Sequence, residues 1–210
     1  MTLKVLLKRL LQSVTFSKIF WFEYASTRSV YLTFDDGPNE NTKYILDVLK
    51  EKNVKATFFV VGNEVRKNHA VLQRLHDEGH TIGLHGMTHQ RLSDLGLRSY
   101  VNEMIELKRL IKNIIPISGK KLLIRPPYGE LGILSTIILL LLGFRMSMWS
   151  QDSNDSNANI AEDVVRNVQN MNLNSGDILL FHDDYENTAR ALDDIIISIQ
   201  KCGYLCKQLE

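Results

Sequence analysis

The sequence predicts an α/β protein built as a distorted or incomplete (β/α) barrel of about seven units. Apolar, β-branched segments alternate with segments of helical periodicity, an order typical of parallel strands joined by outer helices. The chain has 210 residues, of which 44% are hydrophobic and 23% charged, and this suits one domain with one core. Seven units fall one short of the eight-unit barrel, so an open doubly wound sheet is the alternative architecture.

The strands are predicted from runs of β-branched, aromatic and aliphatic residues. The second run, VKATFFVV, shows all three kinds. In chain order, the expected strands are Val30–Phe34, Val54–Val61, Thr81–Leu84, Lys121–Ile124, Phe144–Trp149, Asp177–Phe181 and Tyr204–Lys207.

The helices are predicted from apolar spacing and from signals at their ends. Gly79 is expected to end the second helix, and Ser93 to be the N-cap of the third. The fourth, ILSTIILLLL, is too short to span a membrane and is expected to be buried, with Ile137–Leu142 in the core. In chain order, the expected helices are Thr42–Glu51, Glu64–Glu78, Ser93–Ile114, Ile133–Leu142, Ile160–Met171 and Ala189–Lys201.

Residues 1–29 are expected to form an amphipathic or apolar segment that precedes a domain over residues 30–210. Its leucines recur at helical spacing, with Lys4, Lys8 and Arg9 between them. A signal peptide needs an unbroken apolar stretch, which these cations interrupt. Two interpretations stay open: a basic helix that contacts a membrane surface through residues 1–26, or a helix that closes one end of the domain. We expect a cytoplasmic or membrane-peripheral protein rather than a secreted one.

Charge and cysteine content exclude some classes of function. Twenty-five Lys and Arg residues against 24 Asp and Glu residues give a net charge of +1, which indicates no nucleic-acid partner. Two cysteines are too few for a disulfide framework. Three histidines belong to no motif and are expected at the surface: His69, His76 and His80.

Polar residues follow five of the predicted strands, directly at their carboxyl ends. Since parallel strands end at one rim, these residues are expected to lie together there, as in a binding or catalytic site. The five stretches are Asp35-Asp36-Gly37-Pro38, His85 to His89, Arg125-Pro126-Pro127-Tyr128, Ser150 to Asp155, and His182-Asp183-Asp184.

Two of these stretches suggest a metal site. His85 and His89 are four residues apart and can bind one metal ion through their imidazoles, or they can be ordinary surface histidines. With one aspartate they give two histidines and one carboxylate. Such a set leaves a position open for water, as in hydrolytic zinc centres and some iron sites.

The other stretches allow either a structural or a functional role. Arg125 is either a surface cation or a guanidinium that orients a buried carboxylate. His182 is either a buried structural histidine or a general acid. Asp155 either holds that imidazole or caps a helix.

Together, the five stretches resemble the polysaccharide deacetylases with a NodB-homology domain, carbohydrate esterase family 4. The resemblance extends from Val30 to Tyr204. It implies a metal-dependent hydrolase that removes N-acetyl groups from an amino sugar in a glycan or glycan precursor. It also implies that Asp36, His85 and His89 hold one divalent ion, expected to be Zn²⁺, with Co²⁺, Ni²⁺ or Fe²⁺ as alternatives.

The resemblance implies catalytic roles as well. Asp35 would be the general base, oriented by Arg125. His182 would protonate the leaving amine, and Asp155 would tune His182. The backbone N–H of Tyr128 would help to stabilise the tetrahedral oxyanion.

Two positions depart from the family pattern. Gly86 stands where the family has Ser or Thr after the first histidine, so the loop is expected to be looser and metal affinity lower. Ser156 stands where the family has Trp, so substrate binding or specificity is expected to differ.

Two other functions remain open. The same chemistry can serve as a deformylase or deacetylase of a lipid-linked sugar at a membrane face. Alternatively, the chain is a glycan-binding module that has lost turnover. The expected partner is an N-acetylated oligo- or polysaccharide, or a lipid-linked sugar, and no nucleic acid.

Overall fold

The computed structural model describes residues 3–15, 18–117 and 122–210. Its strands form one sheet in which all ladders are parallel. The strands are β1 (Ile19–Phe20), β2 (Ser29–Asp35), β3 (Thr57–Val60), β4 (Thr81–Leu84), β5 (Leu123–Ile124), β6 (Arg145–Ser147), β7 (Gln151–Asp152), β8 (Ile178–His182) and β9 (Leu205–Lys207).

The helices lie between these strands and pack around the sheet. They are α1 (Leu3–Val14), α2 (Glu40–Glu51), α3 (Gly62–Lys67), α4 (His69–Asp77), α5 (Leu92–Leu95), α6 (Leu97–Ile114), α7 (Ile133–Leu141), α8 (Ala161–Gln169) and α9 (Glu186–Lys201). Two short 3₁₀ turns cover Pro127–Gly129 and Asp155–Asn157. Among the described residues, no helix has the length and apolar character needed to cross a bilayer.

The strand order is that of a distorted (β/α) barrel. Strands β2 to β6 lie side by side in chain order, β8 and β7 follow on the other side of β2, and β9 pairs with the start of β2. This order confirms the predicted barrel. In a doubly wound sheet, the strand order would run outward in both directions from a switch point in the middle of the sheet. In the core, the Phe34 ring stacks on Phe58 at 5.1 Å and on Phe181 at 5.6 Å between centroids.

Register between the strands determines which residues meet at the rim. Asp35, the last residue of β2, is the partner of His182 on β8. Leu84 pairs with Ile124, so the residues that follow them, His85 and Arg125, leave the sheet side by side. Both pairs therefore emerge at the carboxyl rim, as the strand-end pattern predicts.

Two long helices predicted from the sequence are each interrupted. Asn68, with φ −128° and ψ 47°, separates α3 from α4, so the prediction of one helix over Glu64–Glu78 is wrong. Gly96, with φ 72° and ψ 161°, separates α5 from α6. Ser93 therefore lies inside α5 and is not an N-cap. Lys121, in the predicted fourth strand, lies outside the described residues.

Helix α7 is not the buried helix that its composition predicts. Ile133 is 80% exposed and Leu141 81% exposed, and Leu134, Ile137 and Leu142 are exposed as well. Its buried side chains are those of Ser135, Thr136 and Leu139. The prediction was wrong because apolar content alone does not tell which face a neighbouring element covers.

His80 is also not at the surface, contrary to prediction. Its imidazole is fully buried, and Nδ1 accepts a hydrogen bond from the Ala56 N–H at 3.2 Å. Burial, followed by the charge of Lys55, lowers the pKa of His80 from 6.5 to about 4. His69 is exposed and His76 is half-buried.

We expect this histidine to make the fold acid-sensitive. Between pH 6.5 and 4 the unfolded chain binds a proton at His80 that the folded chain does not, so stability falls as the pH falls. At about 1.4 kcal/mol per pH unit between the two pKa values, up to about 3 kcal/mol is lost. Urea unfolding at several pH values between 6.5 and 4 measures this loss of stability. His80→Asn, which keeps an acceptor for Ala56, should flatten the slope; an unchanged slope contradicts the assignment.

Candidate active site

The end of β2 places two carboxylates at the rim with different surroundings. Asp35 is 3% exposed, and its Oδ1 accepts a hydrogen bond from Arg125 Nη1 at 2.8 Å. Burial raises the pKa of the Asp35 carboxyl, and the Arg125 charge beside it opposes that rise. Asp36 has a left-handed φ of 82°, and its carboxylate lies beside two histidines.

Those histidines are His85, which follows β4, and His89. Nε2 of His85 lies 3.5 Å from Asp36 Oδ1, and Nε2 of His89 lies 3.1 Å from the same oxygen. The Nδ1–H of His85 donates to the Arg125 carbonyl at 2.7 Å, which leaves the Nε2 lone pair directed at the site. One ligand atom from each of the three residues lies within 4.8 Å of the other two.

These three residues fit a divalent metal ion. Asp36 Oδ1 is buried and has no hydrogen-bond partner among the described residues. A buried carboxylate oxygen without a partner is costly, and a metal ion would satisfy it. Two imidazoles and one carboxylate also form a recognised ligand set of hydrolytic zinc sites, with a position left for water.

Arg125 is fully buried and connects three strands beneath the rim. Besides Asp35, its guanidinium donates to Thr33 Oγ1 at 2.8 Å, to the Ser147 carbonyl at 3.2 Å and to the Met148 carbonyl at 3.1 Å. With its donors occupied by fixed acceptors, the guanidinium holds the Asp35 carboxylate in one orientation. Of the two interpretations that the sequence left open, the surface cation is therefore wrong.

His182, at the end of β8, faces the carboxylate pair and is held from behind by Asp155. Its Nδ1 lies 2.8 Å from Asp155 Oδ1, and its backbone N–H donates to Asp155 Oδ2 at 2.7 Å. The Thr188 hydroxyl donates to the same Oδ2 at 2.7 Å. Burial alone would lower the pKa of His182, but the hydrogen bond and charge of Asp155 outweigh it. With the charges of Asp35 and Asp36, they raise the pKa to about 9.

Tyr128 contributes its side chain to the cleft in addition to its backbone. It has a left-handed φ of 57°, in the turn after β5. Its ring lies 4.7 Å from the His89 ring, and the Arg91 guanidinium lies 3.8 Å from the Tyr128 ring centroid. From the sequence, only the Tyr128 N–H was assigned a role, so these ring contacts are additional.

The carboxylates of Asp35 and Asp36, the three histidines and Tyr128 border one cleft of about 540 Å³. The eight residues singled out from the sequence lie in it or directly beneath it. Others were not predicted and also line it, among them Arg91, Trp149 and Tyr185. Asp184, from the predicted stretch after β8, lines the cleft as expected. Trp149 closely follows β6, so the strand-end pattern could have found it, whereas Arg91 lies too far from a strand.

Similarity to known proteins identifies the family. A sequence model described as polysaccharide deacetylase matches residues 23–147, more than half of the chain. The chain belongs to the polysaccharide deacetylase family. It is thus a hydrolase of the class that removes N-acetyl groups from glycans, and deacetylases of this family are metal-dependent in general.

Individual relatives agree with this assignment. The chain is 34% identical over 192 residues to a peptidoglycan-N-acetylglucosamine deacetylase of Bacillus cereus, covering 87% of this chain and 70% of that protein. It is similar to the crystal structure of the polysaccharide deacetylase Bc1974 from Bacillus cereus. There the TM-score is 0.81 and the identity 33%, over 87% of this chain and 92% of that one.

A third match is to a pseudoenzyme of the family. It is a mutant of BA3943, a family pseudoenzyme with restored enzymatic activity, at a TM-score of 0.81 and 26% identity, over 90% of this chain and 69% of that one. The same fold therefore also occurs in a pseudoenzyme of the family.

One glycine of this deacetylase is explained by a contact at the rim. A Cβ on Gly37 would lie 2.0 Å from Asp183 Oδ2, so only glycine fits beside that carboxyl. Oδ2 accepts a hydrogen bond from the Thr42 hydroxyl at 2.6 Å, and burial raises the pKa of Asp183 well above its usual value. This contact joins the loop after β2 to the loop after β8, and so joins the two sides of the site.

Proposed function

We propose that this protein is a zinc-dependent N-deacetylase that acts on N-acetylglucosamine residues of a peptidoglycan-type glycan. One observation carries the proposal: a set of metal ligands and two groups that can transfer protons border the same cleft. The set is Asp36, His85 and His89; the two groups are Asp35 and His182. The similarity to the Bacillus cereus enzyme supports the choice of sugar.

Asp36, His85 and His89 would hold the divalent ion that the reaction needs. When bound, a divalent ion supplies polarisation of the acetyl carbonyl and acidification of a water molecule. Two imidazoles with one carboxylate favour Zn²⁺, and Fe²⁺, Co²⁺ and Ni²⁺ accept the same donors.

The chain's own residues move the protons. Asp35, with a raised pKa, removes a proton from the attacking water, and Arg125 keeps its carboxylate oriented. The Tyr128 N–H stabilises the oxyanion as it forms. His182, which is protonated at neutral pH, then donates its proton to the departing amine. Acetate and a free amino sugar result.

Acetate release tests this proposal. Peptidoglycan glycan strands and chito-oligosaccharides are incubated with the full chain, with and without a chelator. We expect chelator-sensitive release from the N-acetylglucosamine-containing substrates. Release from lipid-linked sugars alone would move the substrate to the membrane face. Glycan binding without release, with zinc confirmed bound, would show a module that has lost turnover.

We also propose that α1 contacts an anionic membrane surface, which would make the protein membrane-peripheral. Leu6, Leu7, Leu10 and Leu11 are exposed on this helix, with Lys4 and Arg9 exposed beside them. An apolar stripe flanked by cations is typical of interfacial helices. The opposing observation is that Gln12 binds the Phe22 carbonyl at 2.8 Å, as expected of a helix that closes the domain.

Sedimentation with vesicles distinguishes the two interpretations of α1. We expect the full chain to sediment with phosphatidylserine-containing vesicles and a variant lacking residues 1–13 to stay in solution. Leu6→Ser/Leu10→Ser is the milder test, since both side chains are exposed. A full chain that never sediments contradicts the membrane contact.

A further inference from the structure

The segment that joins the two metal-ligand histidines has no regular secondary structure of its own. Residues 86–88 lie between His85 and His89, and His89 has a left-handed φ of 55°. On one side, the Gly86 and Met87 carbonyls accept hydrogen bonds from the first N–H groups of α3, both at 2.9 Å. These bonds use the carbonyls and leave the N–H groups of the segment to be satisfied elsewhere.

The N–H groups of Met87 and Thr88 are bound by one carboxylate from a distant helix. Glu103 of α6 accepts from the Met87 N–H at 2.9 Å and from the Thr88 N–H at 3.2 Å through Oε2. Its Oε1 accepts from the Thr88 hydroxyl at 2.6 Å. One half-buried side chain thus makes three charge-assisted hydrogen bonds to the segment between the two imidazoles.

Gly86 fits this arrangement. It has φ 84°, a conformation that side chains disfavour, and an added Cβ would lie 3.3 Å from Glu103 Oε2. From the sequence, Gly86 is expected to loosen the loop. The Glu103 contacts supply the restraint that a hydroxyl side chain at position 86 would otherwise be expected to give.

We propose that Glu103 is a positioning residue for the metal site, which sets metal affinity by holding residues 86–88 and through them His85 and His89. The inference rests on the metal site of the proposed function but not on the substrate. Partners behind the ligands of a metal ion typically contribute about 10- to 100-fold in metal affinity or activity.

The test is the zinc dissociation constant of the full chain, measured by competition with a chromophoric chelator. Glu103→Ala should weaken zinc binding about 10- to 100-fold. Glu103→Gln should lose less than about tenfold, because its oxygen can accept both N–H groups and its amide can donate to the Thr88 hydroxyl. The Co²⁺-loaded protein adds a second readout, since the d–d spectrum should change in the alanine variant and be retained in the glutamine variant.

Glu106→Gln is the matched control. Glu106 lies on the same helix and pairs with Arg66 at 2.7 Å, with both side chains more than half exposed. The Glu106→Gln variant should leave zinc affinity unchanged. Wild-type zinc affinity in Glu103→Ala, or an equal loss in Glu106→Gln, would overturn the proposal.

A second variant covers the case in which Glu103→Ala does not fold. Thr88 is exposed, so Thr88→Val removes the bond to Oε1 with little risk to the fold. Weaker zinc binding then supports the proposal, and unchanged binding overturns it. Because zinc binding is measured without substrate, a failure of deacetylation would count against the proposed function and not against the role of Glu103.

Discussion

Asp35→Asn should lower kcat/KM for acetate release by about 10²- to 10⁴-fold, the usual contribution of a positioned general base. Asparagine keeps the size of the side chain, and its oxygen can still accept the hydrogen bond from Arg125 that Asp35 accepts at 2.8 Å. The amide cannot take a proton from water. Asp35 is not among the three proposed metal ligands, so zinc binding should persist, which calorimetric titration with Zn²⁺ would measure.

Asp152→Asn is the matched control for this loss. Asp152 borders the same cleft, but its Oδ1 accepts from the Asn154 N–H. The Asp152→Asn variant should change the rate of acetate release only slightly. If Asp35→Asn retained wild-type kcat/KM, Asp35 would not be the base. If it lost zinc along with activity, the two effects could not be separated, and the assignment of Asp35 as a residue distinct from the metal ligands would be wrong.

Asp155→Asn should lower the rate and also move its alkaline limit to lower pH. His182 can donate only while it is protonated, and the Asp155 charge helps to raise its pKa to about 9. Without that charge the pKa falls, so the proton is lost at lower pH and less of the enzyme is active at pH 8. In the limit where the acid no longer functions, the loss is about 10²- to 10⁴-fold. A pH profile of kcat measures both effects.

Thr188→Val distinguishes charge from packing at this position. It removes the hydroxyl that donates to Asp155 Oδ2 at 2.7 Å and leaves the carboxylate. We expect a small change in rate and little movement of the alkaline limit. An unmoved limit in Asp155→Asn would show that another group controls the alkaline side of the profile.

The sequence predicted the rim well because strand ends follow simple geometry. Asp35, His85, Arg125 and His182 each directly follow or end a strand, and parallel pairing brings such positions to one edge. Residues that contact the site from within a helix were harder to predict. Glu103 reaches the site from the face of a helix, and no local pattern reports which loop a helix face will meet.

Errors in the helices have a related origin. The break between α5 and α6 occurs at Gly96, and a single glycine within a helical pattern is often tolerated. Asn68 interrupts a helix without proline or glycine, so periodicity gave no warning there. The exposed apolar face of α7 depends on what packs against it, which is a tertiary property.

The most direct test of the central claim is acetate release as Zn²⁺ is added back to the chelator-treated chain. The glycan should be one that contains N-acetylglucosamine, and Asp35→Asn should be run in parallel. We predict that wild-type activity rises with zinc to one equivalent per chain, while Asp35→Asn binds the same equivalent and stays inactive. Acetate release that is indifferent to zinc, or one bound equivalent with no release from any N-acetylated glycan, would contradict a metal-dependent deacetylase at this site.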